Sequence, residues 1–358
     1  MVAAAAICDV LPPSLKLAQL QRVAFLCGLT TSGTKSVIRQ RLVDAATTTS
    51  VAVPIQPQPR GRRKASPSAG NGSDNRRILS IDLGLRNLAW SLLTPAPAPS
   101  PARRRAGTGA GSTYDPCVPP PVHLHAWMRN SLVKAPSVEE EEQQRKVENE
   151  FSPARMAVMA VRLVRQTLLP LNPTHVLIER QRFRTGGAAP VQEWTLRVNT
   201  LEAMIHAAFR TLVECGHWDG EVVSVSPTHV GPFWLDGGDG GKSSSSTKSK
   251  DLKGAKAKLN MKREKIDILG NWLDAGDVVL PQNENVEAMV DTFTQYWKRK
   301  PHARKLKMPK GSEGGEDEVI KKIDDLADCV LQGLAWMKWE ENKANLHSTD
   351  GIMKLLDL

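Results

Sequence analysis

Apolar and polar positions change period several times along the chain. Between about residues 12 and 46, Leu17, Leu20, Val23 and Ala24 recur at helical spacing and Gly28 ends the run. Thr34-Lys35-Ser36 then opens a second run with Val37, Ile38, Arg41 and Leu42, so two short helices are predicted. The apolar run Ile78-Leu79-Ser80-Ile81 passes through a glycine turn into residues 88–92, the pattern of two strands joined as a hairpin. Residues 122–128 alternate as a third strand, and 175–179 and 221–225 are short apolar strands. Ser152-Pro153 is a cap followed by proline at the first helical position, ahead of an amphipathic helix over 156–169. Residues 192–215 and 319–339 read as two longer helices.

From residue 77 onward the predicted order is β-β-β-α-β-α-β-α. It places the chain in the α/β class, as a ribonuclease H-like mixed sheet flanked by helices. Residues 47–75 are rich in Thr, Pro, Ser, Gly and Arg and read as a linker between residues 1–46 and a domain over 76–345. Three low-complexity stretches, 94–121, 134–150 and 236–258, lack apolar periodicity and are expected as loop insertions. Residues 346–358 are expected as a tail.

Composition narrows the partners. The 358 residues carry 48 Lys+Arg against 38 Asp+Glu, a net charge of +10 that points to a polyanion. The excess is blocked. Residues 242–265 hold nine basic and two acidic residues, and 298–310 hold seven basic residues and no acid. Lys262, Arg299, Lys300, Arg304 and Lys305 in these blocks are candidate phosphate contacts. No apolar run approaches the roughly 18 residues of a membrane-spanning helix, so no membrane partner is expected. Five widely spaced cysteines without a CxxC pair argue against a disulfide scaffold and a zinc ribbon. The N-terminus lacks the basic residues of a secretory or transit signal, and a soluble intracellular protein is expected.

The acids decide the chemistry. Asp82 ends the first strand, Glu179 ends the fourth, and Asp324, Asp325 and Asp328 open the last helix. An acid at the end of an apolar strand must be solvated, paired or metal-bound. In a ribonuclease H-like sheet the first and fourth strands are neighbours, so these carboxylates meet at one edge facing the last helix. There Asp328 lies one turn from both Asp324 and Asp325. Converging carboxylates suit hard divalent cations such as Mg²⁺ or Mn²⁺. Two such ions about 4 Å apart activate water and stabilise the leaving oxygen of a phosphodiester. Read singly, each acid also has a simpler role: Asp82 in a turn, Glu179 paired with Arg180 or Arg182, and Asp324 and Asp325 as favourable charges at a helix N-terminus.

The motifs Ile81-Asp82-Leu83-Gly84-Leu85-Arg86-Asn87-Leu88-Ala89, Ile178-Glu179-Arg180-Gln181-Arg182-Phe183-Arg184 and Lys321-Lys322-Ile323-Asp324-Asp325-Leu326-Ala327-Asp328-Cys329 resemble the fungal mitochondrial Holliday junction resolvases. Those are cruciform-cutting endonucleases distantly similar to bacterial RuvC. Residues 197–202 and 223–227 add to the likeness. Leu17, Leu20, Gly28, Leu29, Gly33, Lys35, Ile38, Arg41 and Leu42 resemble the SAP module, a small helical DNA-binding motif, with Lys35 and Arg41 as its candidate contacts. The resemblance implies a mitochondrial homodimer that cuts four-way DNA junctions with Mg²⁺ by paired symmetric nicks. It implies Asp82, Glu179, Asp328 and one of Asp324 or Asp325 as metal ligands; RuvC-like spacing favours Asp325, and the choice stays open.

Further roles follow from chemistry. Arg180, Arg182 and Arg184 alternate around Gln181, so an extended segment places the three guanidiniums on one face along a DNA path. Arg86 and Asn87 are placed to contact phosphate, Lys321 and Lys322 to neutralise it, and Phe183 to stack on an unpaired base. The helix over 192–215 is a candidate two-fold contact. Gly237 to Ser243 resembles a phosphate-binding loop but is one residue too short, and no strand precedes it directly. An actin-like ATPase would need a second phosphate-binding turn after a later strand, so no nucleotide cofactor is expected. A catalytically inert DNA-binding protein of the same fold is the alternative to a nuclease.

Overall fold

The computed structural model describes residues 11–50, 76–97, 116–133, 151–181, 193–235, 255–298 and 323–356. Its centre is a six-stranded mixed sheet. The strands are β1 (Ile78–Asp82), β2 (Leu88–Pro95), β3 (Val122–Asn130), β4 (His175–Glu179), β5 (Glu221–Val225) and β6 (Val279–Pro281), in the order β5-β4-β1-β2-β3-β6. β1, β2 and β3 form an antiparallel meander, while β4 runs parallel to β1 and β5 parallel to β4. That arrangement is the ribonuclease H-like one expected from the sequence. β6, paired parallel to β3, is an addition: three residues are too few to show a period.

Helices cover both faces. On one lie α3 (Pro153–Arg162), continued by a wider turn over Leu163–Leu168, and α4 (Glu193–Glu214). On the other lie α5 (Pro227–Leu235), α6 (Ala255–Ala275), α7 (Glu284–Lys298) and α8 (Ile323–Ala344). The two-residue alternation of the strands sorts the side chains. Leu79, Ile81, Trp90, Leu92, Val176 and Ile178 enter the core under α3 and α4. Ile78, Ala89, Leu93 and Leu177 enter the core under α8. By the same alternation Asp82 shares a face with Ile78 and Ser80, and Glu179 with Leu177. Both acids therefore belong to the α8 side.

α8 is seated on the sheet by buried polar contacts. Gln332 Nε2 donates to Ser80 Oγ at 3.1 Å and to the Ile81 carbonyl at 3.2 Å. Ser91 Oγ donates to the Cys329 carbonyl at 3.2 Å, and Trp127 Nε1 to the Leu326 carbonyl at 3.0 Å. Gly333 allows the close approach: a Cβ there would lie 2.5 Å from Leu93 Cδ1. These contacts fix the rotation and height of α8 over β1 and β2.

The N-terminal helices α1 (Leu17–Leu26) and α2 (Lys35–Ser50) pack into the core on the α8 side, with Leu20, Val23, Leu26, Ile38 and Leu42 buried there. Gly28 adopts φ +68 and lies flat against the Trp339 ring, where any Cβ would clash. Asn342, fully buried, donates to the Leu26 carbonyl at 2.7 Å and to the Pro116 carbonyl at 3.0 Å. The expected C-terminal tail is corrected in part. Residues Thr349–Leu355 form a helix, α9, capped by Ser348, because Ile352 and Leu355 have apolar surface to cover.

Candidate active site

The β1–β4 register aligns Ile81 with Ile178, so Asp82 and Glu179 leave adjacent parallel strands at the same end. The first turn of α8, with Asp324 and Asp325, stands over that end, and Asp328 follows one turn later. The Asp82 and Glu179 carboxyls, on neighbouring strand ends, lie close enough to act directly on one another. Burial, then the charges of Glu179, Asp328 and Asp325, hold the Asp82 carboxyl well above the usual carboxylate range. Burial also lifts Asp328, against the opposing pull of Lys265. Two unit charges 4 Å apart repel by about 4 kcal/mol at an effective dielectric of 20, so the cluster requires positive charge.

Three side chains supply it. Lys262 pairs with Asp324 and Lys265 with Asp328, both from α6. Arg129, near the end of β3, pairs with Asp325 at 3.2 Å. Among the described residues no three His, Cys, Asp or Glu side chains stand in a ready-made ion-binding arrangement. The donor set still fits a hard divalent cation. It is all oxygen, and it carries excess negative charge. Asp325 acts on Asp82 and Asp324 on Asp328, so both acids of the first turn belong to the cluster.

The other sequence candidates divide three ways. Arg86, exposed in the β1–β2 turn, stacks over Trp194 at 5.0 Å from the ring centre. Trp194 is half-buried at the start of α4, where its ring also meets Phe151 in a T-shaped contact. Asn87 accepts from Arg129 Nη2 at 2.5 Å. Gln181 Nε2 donates to the Leu83 carbonyl at 3.2 Å, and its backbone N–H donates to Glu202 at 3.1 Å. Thus Gln181 ties the end of β4 to the segment after Asp82. Arg180 lies beside the site, with its backbone N–H donating to the Val225 carbonyl. Away from it, Lys35 Nζ donates to the Pro13 carbonyl at 3.3 Å and Arg41 to the Thr30 and Ser32 carbonyls. Lys262 faces Asp324. Arg182, Phe183, Arg184, Arg299, Lys300, Arg304, Lys305, Lys321 and Lys322 lie outside the described residues.

Arg129, Lys265 and Gln332 were not among the sequence candidates. Arg129 carried a signal: it alternates with Trp127 on the inward face of β3, and a charge there needs a buried partner.

Residues 78–346, most of the chain, match the family described as mitochondrial resolvase Ydc2 / RNA splicing MRS1. The chain belongs to this family. Its similarity to the mitochondrial cruciform cutting endonuclease 1 of Schizosaccharomyces pombe is 27% identity over 331 residues, covering 91% of this chain and 93% of that protein. Among solved structures, the yeast mitochondrial Holliday junction resolvase Ydc2 is 24% identical. It has a TM-score of 0.49 over 91% of this chain and 94% of its own. Thermus thermophilus RuvC bound to a Holliday junction is 13% identical, with a TM-score of 0.28 over 75% and 97%. The family match carries the assignment, and the two structural likenesses add nothing to it.

Proposed function

We propose that this protein is a structure-selective endonuclease that resolves four-way DNA junctions by paired hydrolysis of phosphodiesters, and that it acts in mitochondria. The observation that carries this reading is the convergence of Asp82, Glu179, Asp325 and Asp328 at one sheet edge of a strongly basic chain. Asp82 and Glu179, on rigid strands, and Asp325 and Asp328, on a helix keyed to the same sheet, would hold two divalent cations, Mg²⁺ with Mn²⁺ as a substitute. When bound, such ions activate water and stabilise the leaving oxygen. Lys262 and Lys265, released from Asp324 and Asp328, are then placed to meet the phosphate that enters the site. Arg86 and Arg180 flank the same rim, and the N-terminal helices with Lys35 and Arg41 serve as a further DNA-contacting element. Two equivalent strands to cut suit a homodimer with two-fold symmetry, for which α4 is the proposed contact.

A second reading is a catalytically inert nucleic-acid-binding protein of this fold. The pairing of three of the acids with Lys262, Lys265 and Arg129 favours it, as does a family description that also names an RNA-splicing protein. Incubation of a synthetic four-way junction with protein and Mg²⁺ separates the two. Paired nicks at symmetric positions support the resolvase, whereas junction binding without cutting supports the inert protein. Cutting of linear duplex in preference to the junction removes the proposed selectivity.

A further inference from the structure

Arg129 is the one arginine or lysine that the described strands send into the carboxylate cluster, and it is 7% exposed. Two of its contacts lie on different elements. Nε donates to Asp325 Oδ2 at 3.2 Å, in the first turn of α8. Nη2 donates to Asn87 Oδ1 at 2.5 Å, in the turn that follows Asp82. That turn is tight: a Cβ on Gly84 would lie 2.9 Å from the Asn87 carbonyl oxygen. It is also held to the chain after β3 by the Leu132 N–H on the Leu85 carbonyl, at 2.8 Å. Asn87 is therefore a fixed point.

We infer that Arg129 is a positioning residue, a rigid spacer that sets the separation of Asp325 from Asp82 and so the metal affinity of the pocket. The inference deepens the nuclease reading and rests on it. A guanidinium holds two acceptors at a fixed angle, whereas a lysine ammonium on a flexible stem does not. The bond at Nε orients the Asp325 carboxylate, and the bond at Nη2 relays that orientation to the β1–β2 turn. A buried guanidinium is costly without its partners, so the arrangement forms as a unit.

Calorimetric titration of the full-length protein with Mn²⁺, in the absence of DNA, tests this without relying on cutting. Arg129→Gln is expected to weaken Mn²⁺ binding about tenfold, the lower end of the effect of removing an outer partner of a metal ligand. Arg129→Lys keeps the charge and loses the fork, and is expected to resemble Arg129→Gln; full rescue by lysine would reduce the role to charge alone and overturn the spacer. Asn87→Ala removes one acceptor of the guanidinium and is expected to weaken binding about threefold, less than the tenfold loss for an outer partner itself because Asn87 acts on Asp325 only through Arg129. It also guards against an Arg129→Gln protein that does not fold. Unchanged Mn²⁺ affinity in Asn87→Ala, or in a folded Arg129→Gln, overturns the inference. In cleavage assays the same variants should raise the Mg²⁺ concentration for half-maximal rate more than they lower the rate at saturation. Weakened Mn²⁺ binding in the variants, beside a wild type that binds Mn²⁺ and never cuts junctions, would instead refute the nuclease reading and leave the spacer standing.

Discussion

Gly333 sits where α8 presses on β1 and β2, five residues past Asp328, and replacing it should couple stability to catalysis. An added Cβ lies 2.5 Å from Leu93 Cδ1 and 3.3 Å from Ser80 Cβ. Leu93 Cδ1 is the tip of a flexible side chain and can swing, but Ser80 Cβ belongs to a central strand and cannot. Alanine gains about 1 kcal/mol of helix propensity over glycine and loses about 1–3 kcal/mol to overpacking. Gly333→Ala should thus be near neutral or destabilise by up to about 2 kcal/mol. Gly333→Val adds two methyls with little rotamer freedom and should cost about 3 kcal/mol. At about 2–4 °C per kcal/mol for a domain of this size, the valine variant melts about 6–12 °C lower. The helix must also lift or slide, carrying Asp325 and Asp328 away from Asp82. A misplacement of about 1 Å costs on the order of 100-fold in rate. Thermal denaturation and single-turnover junction cleavage, run on both variants, provide the assay. A valine variant that melts within about 2 °C of wild type and cuts at the same rate would show that α8 is not seated against Leu93 and Ser80.

Asn342→Leu should cost about 2 kcal/mol, because it strips the buried Leu26 and Pro116 carbonyls of their donor; the denaturant midpoint reads this directly. Deleting residues 1–46 should expose the Trp339 face and lower the melting temperature, and a truncated chain as stable as the full one would mean that the N-terminal helices are an independent module. Burial pushes the Cys27 thiol up to about 12, which leaves a thiolate fraction of about 10⁻⁴ at pH 8. A thiol reagent at that pH should modify exposed Cys215 quickly and Cys27 only on unfolding; as the pH rises toward 12, Cys27 ionises and its protection falls. Fast labelling of Cys27 in the native protein at pH 8 would contradict its burial.

The sequence was most informative where burial enforces a period. β4 and β5 match the predicted ranges residue for residue, and the cap-proline pair at Ser152-Pro153 starts α3. Each of these segments must cover apolar surface, and its spacing shows it. α6, α7 and β6 carried weaker patterns. α6 begins in a stretch dominated by lysine, and β6 has three residues, so tertiary contacts with α8 and β3 define them more than local preference does. The strand-end acids were legible because a carboxylate after an apolar run is out of place. Their partners were less so. Lys265 resembled any residue of a basic block until α6 turned it toward Asp328. Gln332 sat one turn past Asp328 in an apolar helix without any mark of its bond to β1.

If Asp82 and the acids around it form a metal-dependent hydrolytic centre, cutting must depend on both the carboxylate and the cation. Single-turnover cleavage of a labelled four-way junction in Mg²⁺, comparing wild type with Asp82→Asn, tests it most directly. The wild type is expected to make symmetric paired nicks, none without a divalent cation, and Asp82→Asn none at all, with a junction affinity within about threefold of wild type because the basic surface is intact. Cutting by Asp82→Asn at the wild-type rate would place the chemistry elsewhere and contradict a metal centre at Asp82.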